Sequence, residues 1–140
     1  MSSGKNSYSV TASTNRDGTS TVSANGCNII FSSSPGENEH LPGPAELLLA
    51  SFSACLLKNV ERFGEILPFT WRDALVEVHA ERQESPPRIM RIQYLLTIDT
   101  EEPVHRLELL HQNIVKHGTI FNTLASACSV EGRAVIDVTS

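Results

Sequence analysis

The order of apolar patterns along this chain predicts an α+β fold. Three observations carry the prediction. β-branched, alternating runs flank turn residues near Asn15, Asn25 and Pro86; one long apolar helix follows Pro44; and strands and helices come in blocks rather than in the regular alternation of a doubly wound sheet. The chain has 140 residues, 40% of them hydrophobic, with 8 Gly and 7 Pro. That is ordinary globular composition, sufficient for a sizeable core without disulfide or metal staples. A single domain over residues 1–140 is expected, with the polar, Ser-rich residues 1–7 as a tail.

Tyr8 to Ser13 alternates moderately, Asn15-Arg16-Asp17-Gly18 has hairpin-turn chemistry, and Ser20 to Ala24 is extended again, so a β-hairpin with Arg16 at its turn is expected. A second turn at Asn25-Gly26 leads into a strand over Cys27 to Phe31. Ser32 to Pro42 reads as loop, because Ser-Ser-Ser-Pro-Gly and then Pro42-Gly43-Pro44 break any regular element. Pro44 suits the first position of a helix, and Glu46 suits its first turn, where the macrodipole favours an anion. That helix is expected to run to Phe63 with Gly64 as its C-cap. Its leucines, phenylalanines and Val60 do not fit one narrow stripe, which predicts a buried central helix.

Ala74 to Arg82 and Ile89 to Asp99 alternate on either side of Ser85-Pro86-Pro87, the pattern of an antiparallel hairpin. Pro103 opens a helix with Leu107, Leu110 and Ile114 on one face, and Gly118 is expected as its C-cap. A short helix over Thr119 to Ala127 and a closing strand over Arg133 to Val138 complete the order, and the sheets are expected to be antiparallel.

Eleven Lys and Arg against sixteen Asp and Glu give a formal charge of −5, which disfavours nucleic-acid binding by counterion release. The longest apolar stretch, Leu47 to Leu57, is shorter than a membrane span and contains Ser51 and Ser53. With no apolar leader at the N-terminus, the cytoplasm is the expected compartment and no membrane partner is expected. Cys27, Cys55 and Cys128 match neither a disulfide framework nor a zinc pattern.

Cys55 is the most informative of the three. It lies mid-helix with Ser51, Asn59 and Arg62 at spacings of four and seven. On these features alone an inert core thiol is the favoured reading. A reactive thiolate there is too far along the helix to be stabilised by its N-terminal dipole and needs a cation, for which Lys58, Arg62 and Arg16 are candidates. Glu46 is either a plain helix-start carboxylate or the partner that orients an arginine over the thiol through a bidentate pair. Histidines 105, 111 and 117 recur every six residues, about 240° apart on a helix, so they share no metal-binding face. No metal and no cofactor are expected, and neither a phosphate-binding Gly loop nor a nucleophile elbow is present.

The run Gly43-Pro44-Ala45-Glu46-Leu47-Leu48-Leu49-Ala50-Ser51-Phe52-Ser53-Ala54-Cys55 resembles the first cysteine helix of the OsmC/Ohr family of osmotically inducible and organic-hydroperoxide resistance proteins. Asn15-Arg16-Asp17-Gly18 is similar to that family's first hairpin turn, Pro87-Arg88-Ile89 to its second hairpin, and His117 to Leu124 falls where its second cysteine motif belongs. The resemblance implies an α+β domain with an intertwined homodimer and a thiol peroxidase mechanism. It implies Cys55 as the peroxidatic cysteine, Arg16 as the arginine that stabilises its thiolate and orients the peroxide, and Glu46 as the carboxylate paired with that arginine. Two positions depart from the pattern: many members carry the glutamate where this chain has Ala45, and the resolving cysteine of Cys-Pro-x-Ser-Asn is replaced by Gly118 in Gly118-Thr119-Ile120-Phe121-Asn122.

Three functions follow as expectations. The first is reduction of organic hydroperoxides through Cys55 with an external thiol as reductant, since Gly118 cannot resolve a sulfenic acid. The second is a non-catalytic dimer binding an apolar molecule in a pocket lined by Phe52, Phe121 and leucines. The third is a one-cysteine redox sensor in which Cys55 forms a mixed disulfide. Cys128 and Cys27 are expected to be structural.

Overall fold

In a computed structural model of the chain, residues 6–17, 19–36 and 40–137 are described. Most of the tail expected over residues 1–7, together with Gly18 and Val138, lies outside them. Two units, Met1–Leu48 and Leu49–Ser140, each have their own sheet.

The first unit holds β1 (Thr11–Thr14), β2 (Thr19–Ala24) and β3 (Cys27–Ser32), an antiparallel sheet in sequence order. The expected hairpin turns are both present. At the first, the Asn15 and Asp17 carboxamide and carboxylate oxygens accept from the Asp17 and Thr19 backbone N–H groups at 3.3 and 2.7 Å, and Arg16 sits exposed between them. At the second, Asn25 (φ 52°) and Gly26 (φ 78°) take the two left-handed positions that join tight hairpin strands with the right twist. The loop that follows returns to β3, where Ser32 N–H donates to the Pro42 carbonyl at 2.9 Å.

Helix α1 (Pro44–Ile66) begins where Pro44 predicts and runs past Gly64. Gly64 is therefore not the C-cap expected from the sequence. It is buried inside the last turn, where a Cβ would lie 2.8 Å from the Trp71 indole Nε1, so its role is to admit that ring. The buried positions Phe52, Leu56, Asn59, Val60 and Phe63 form one stripe at helical spacing, with Lys58, Glu61 and Arg62 exposed beside it.

In the second unit, β4 (Asp73–Glu84) and β5 (Pro87–Asp99) pair antiparallel with a register shift between Glu81 and Arg82. Both strands are longer than their apolar runs, because the ladder continues through polar residues up to the Ser85-Pro86 turn. Along β5 every second side chain is buried, Ile92, Tyr94, Leu96 and Ile98, and this face meets Leu107, Leu110 and Ile114 of α2 (Val104–Lys116) within one core. Helix α3 (Thr119–Ala125) follows after two residues. The last strand, β6 (Ser129–Ile136), begins earlier than its β-branched residues suggest and joins β5 parallel, not antiparallel, with Tyr94 opposite Gly132. A parallel partner needs a crossover, and α2 with α3 supplies it. The sheet expected to be antiparallel is therefore mixed.

The C-terminal end of α1 is tied down by polar groups. Arg106 donates to the Leu67 and Pro68 carbonyls at 2.5 and 3.1 Å, and Glu102 accepts from the Thr70 N–H and hydroxyl at 2.8 and 3.0 Å. These bonds hold the segment that follows α1, Leu67 to Thr70, against the start of α2. Among the described residues no helix is long and apolar enough to cross a membrane.

Candidate functional site

Cys55 lies on the edge of the buried stripe of α1, one turn after Phe52 and one turn before Asn59, and is half-buried. Its sulfur faces the turn between α2 and α3. A Cβ at position 118 would lie 3.2 Å from Cys55 Sγ, 3.1 Å from the Ile114 carbonyl oxygen and 3.0 Å from Phe121 Cβ. Gly118 has φ −83° and ψ 114°, a conformation open to any residue, so the glycine is there for space. In a disulfide, the sulfur of one residue lies about 3 Å from the Cβ of the other, so the main chain at 118 stands at disulfide distance from Cys55 without carrying a thiol. Gly118 was expected to be the C-cap of α2; His117 holds that position and Gly118 caps the start of α3.

Aromatic rings brace the contact. Phe52 of α1 and Phe121 of α3 stack at 5.7 Å between centroids, and Tyr94 of β5 meets both edge-on at 5.7 and 6.1 Å. Phe52 is 0% and Phe121 7% exposed, so both rings belong to the core of the chain. The Tyr94 hydroxyl lies 2.6 Å from His111 Nε2 on α2. Burial pushes the Tyr94 phenol up to about 12 and pushes His111 down, so both groups stay neutral at neutral pH. A neutral imidazole with its proton on Nδ1 accepts, at Nε2, a hydrogen bond from the Tyr94 hydroxyl.

The turn itself is held by side-chain amides. Of the last α2 carbonyls, Asn113 O accepts from His117 N–H at 3.1 Å and Val115 O from Gly118 N–H at 3.4 Å. Asn122 Nδ2 donates to Lys116 O at 3.2 Å, and the buried Asn59 of α1 donates through Nδ2 to Ile114 O, also at 3.2 Å. Sequence reasoning placed Asn59 near Cys55 but gave it no role. The available signal was a lone amide in an otherwise apolar stripe, which must find a partner when buried. The meeting of Tyr94 with Gly132 depends on strand register and that with His111 on how α2 packs on the sheet, and neither can be read from local sequence.

The other residues singled out in the sequence have plain positions. Glu46 occupies the third position of α1 and its Oε1 accepts from Gly43 N–H at 2.8 Å, the return half of a capping box. Arg16 and Glu46 both belong to the Met1–Leu48 unit, and Cys55 to Leu49–Ser140. Lys58 is exposed, and the Arg62 guanidinium rests 5.0 Å over the Phe63 ring. Phe63 in turn stacks on His117 at 5.2 Å. Among the described residues no group of three or more His, Cys, Asp or Glu comes together as a metal site. Cys27 is exposed on the edge strand β3, and Cys128 is half-buried with Sγ 3.4 Å from the Leu124 carbonyl.

Over the described residues the chain is an α+β fold of two small three-stranded sheets and three helices, with a helix-borne cysteine facing a short inter-helix turn. Residues 36–132 match the sequence profile of the OsmC-like proteins, and the chain belongs to that family. An OsmC-like protein from Mycoplasma pneumoniae is similar in structure with a TM-score of 0.85 at 19% identity, over 93% of this chain and 96% of that one. An organic hydroperoxide resistance protein from Elizabethkingia anophelis superposes with a TM-score of 0.74 at 13% identity, covering 95% and 99% of the two chains. The organic hydroperoxide resistance protein OhrB of Bacillus subtilis gives 0.68 at 12% identity, covering 92% and 98%. No curated protein sequence gives a significant match.

Proposed function

We propose that this OsmC-like chain reduces organic hydroperoxides through Cys55, using a thiol supplied from outside the chain. The observation that carries the reading is the Cys55 sulfur facing a glycine main chain at disulfide distance, in a fold shared with organic hydroperoxide resistance proteins. The Cys55 thiolate attacks the distal peroxide oxygen, the O–O bond breaks, and the alkoxide leaves and takes up a proton, giving an alcohol and Cys55 sulfenic acid. Gly118 has no sulfur, so the sulfenic acid condenses with an external thiol, releasing water and forming a mixed disulfide. A second external thiol attacks that disulfide, restores Cys55 and leaves as the oxidised disulfide of the reductant.

In this reading the Arg16 guanidinium stabilises the thiolate and Glu46 orients that arginine with the carboxylate oxygen not engaged by Gly43. The working form is a homodimer in the cytoplasm. Cys55→Ser is expected to abolish hydroperoxide consumption while leaving the fold intact; full activity in that variant sinks the reading. In a Cys27→Ala/Cys128→Ala background, Cys55 should be alkylated faster at neutral pH than an unactivated thiol, and Arg16→Ala should slow it. A mixed disulfide that forms but is not displaced by excess thiol would favour the redox-sensor reading instead.

A further inference from the structure

We infer that Asn59 is a positioning residue for Cys55: its amide holds the α2–α3 turn so that the main chain at Gly118 lies against the sulfur. The inference rests on Cys55 being the working thiol, and it concerns what sets that thiol's surroundings. Helix α2 ends with carbonyls that its own backbone cannot satisfy. Three of the last four are taken by groups of α2, α3 or the turn between them. The fourth, Ile114 O, accepts from α1, from Asn59 Nδ2 at 3.2 Å, with Asn59 itself 7% exposed. Ile114 O is also the atom that lies 3.1 Å from where a Cβ of residue 118 would stand, next to Cys55 Sγ at 3.2 Å. One amide therefore connects the helix carrying the sulfur to the peptide facing it, one helical turn from the sulfur. Packing of Phe52 on Phe121 and of Phe63 on His117 brings α3 and the turn against α1, and the directional bond from Asn59 adds a fixed point along α1 one helical turn from Cys55.

The test uses the full chain with Cys27→Ala, Cys128→Ala and Gly118→Cys, so that two thiols report on the distance. Glutathione disulfide oxidises the pair: one thiolate displaces glutathione to form a mixed disulfide, and the second displaces the other glutathione to close the intramolecular bond, with two glutathione thiols released. The ratio of closure to reopening by free glutathione gives an effective concentration for the pair, which reports local geometry in variants whose near-UV circular dichroism shows them folded. With Asn59 in place the ring is expected to close. Asn59→Asp, which keeps the shape but turns the donor into an ionised acceptor at pH 8, is expected to lower the effective concentration by about tenfold or more. Should that variant fail to fold, Asn59→Ser, whose hydroxyl is too short to span the gap, carries the same comparison. An effective concentration unchanged within about twofold, or no closure with Asn59 present, overturns the inference. Because no hydroperoxide enters the assay, a chain that shows the drop but never consumes hydroperoxide keeps this role for Asn59 and removes the peroxidase reading.

Discussion

Gly118 and Gly132 both stand where a neighbouring side chain comes close to the main chain, yet they leave very different room. At 118 a Cβ would meet Phe121, Ile114 O and Cys55 at 3.0–3.2 Å, so the neighbours would have to yield by a few tenths of an ångström. At 132 it would fall 2.3 Å from the Tyr94 ring, which lies flat across the strand, so the ring or β6 itself would have to move. The difference separates a structural contact from one open to chemistry. The ring over Gly132 is part of a close-packed core that tolerates no added atom, whereas the turn over Cys55 could accept a side chain with modest adjustment.

Substitution breaks the comparison most directly at the tighter site. Gly132→Ala is expected to destabilise the chain by about 2–3 kcal/mol, read from urea unfolding, because it displaces Tyr94 from Phe52 and Phe121. Adding Tyr94→Ala should recover part of the loss by removing the clash, though it opens a cavity of its own. Gly118→Ala should cost less, about 1 kcal/mol, since crowding is offset in part by the lower entropy of the unfolded alanine chain. If Gly118→Ala costs as much as Gly132→Ala, the α2–α3 turn is as rigid as the core and the contrast fails.

The smallest effect expected is a pH dependence that sharpens the Tyr94 side of the comparison. Burial holds His111 below its ordinary value, so as pH falls through about 6.5 the unfolded chain takes up a proton before the folded chain does. Stability should therefore fall with decreasing pH from that point until folded His111 itself protonates. His111→Gln should flatten this part of the profile, with denaturant midpoints between pH 7.5 and 5 as the readout; an unchanged slope would assign it to another group. The carboxyls of Asp99 and Glu102, held low mainly by bonds from Arg72 and Thr70, lose their contribution only at more acid pH.

Sequence reasoning reached most elements because they obey local rules. Pro44 opened α1 where expected, Asn25-Gly26 formed the tight turn, and the alternation in Ile92, Tyr94, Leu96 and Ile98 marked the buried face of β5. It failed where a residue answers to something distant. Gly64 and Gly118 looked like helix stops, but Gly64 admits the Trp71 ring inside α1, and Gly118 begins the next helix against Cys55. The β-branched content of β6 announced a strand without saying which way it runs, since direction is set by the crossover length and not by the strand's own residues. For the site, Cys55 was legible from its motif. The amide that anchors its neighbour was not, because the partner is a carbonyl on another helix.

The parallel seat of β6 has a consequence for how the chain is born. Arg91 pairs with Ser129 and Ile98 with Ile136, so the third strand of this sheet cannot form until residue 136 has left the ribosome. Cys55 emerges well before the turn at Gly118 that covers its flank, and Tyr94 well before the glycine it lies on. During translation there is thus an interval in which the thiol is made but unguarded, and its length is set by elongation rate. Slow decoding across α2 would lengthen the time Cys55 spends without the α2–α3 turn that flanks it in the finished fold.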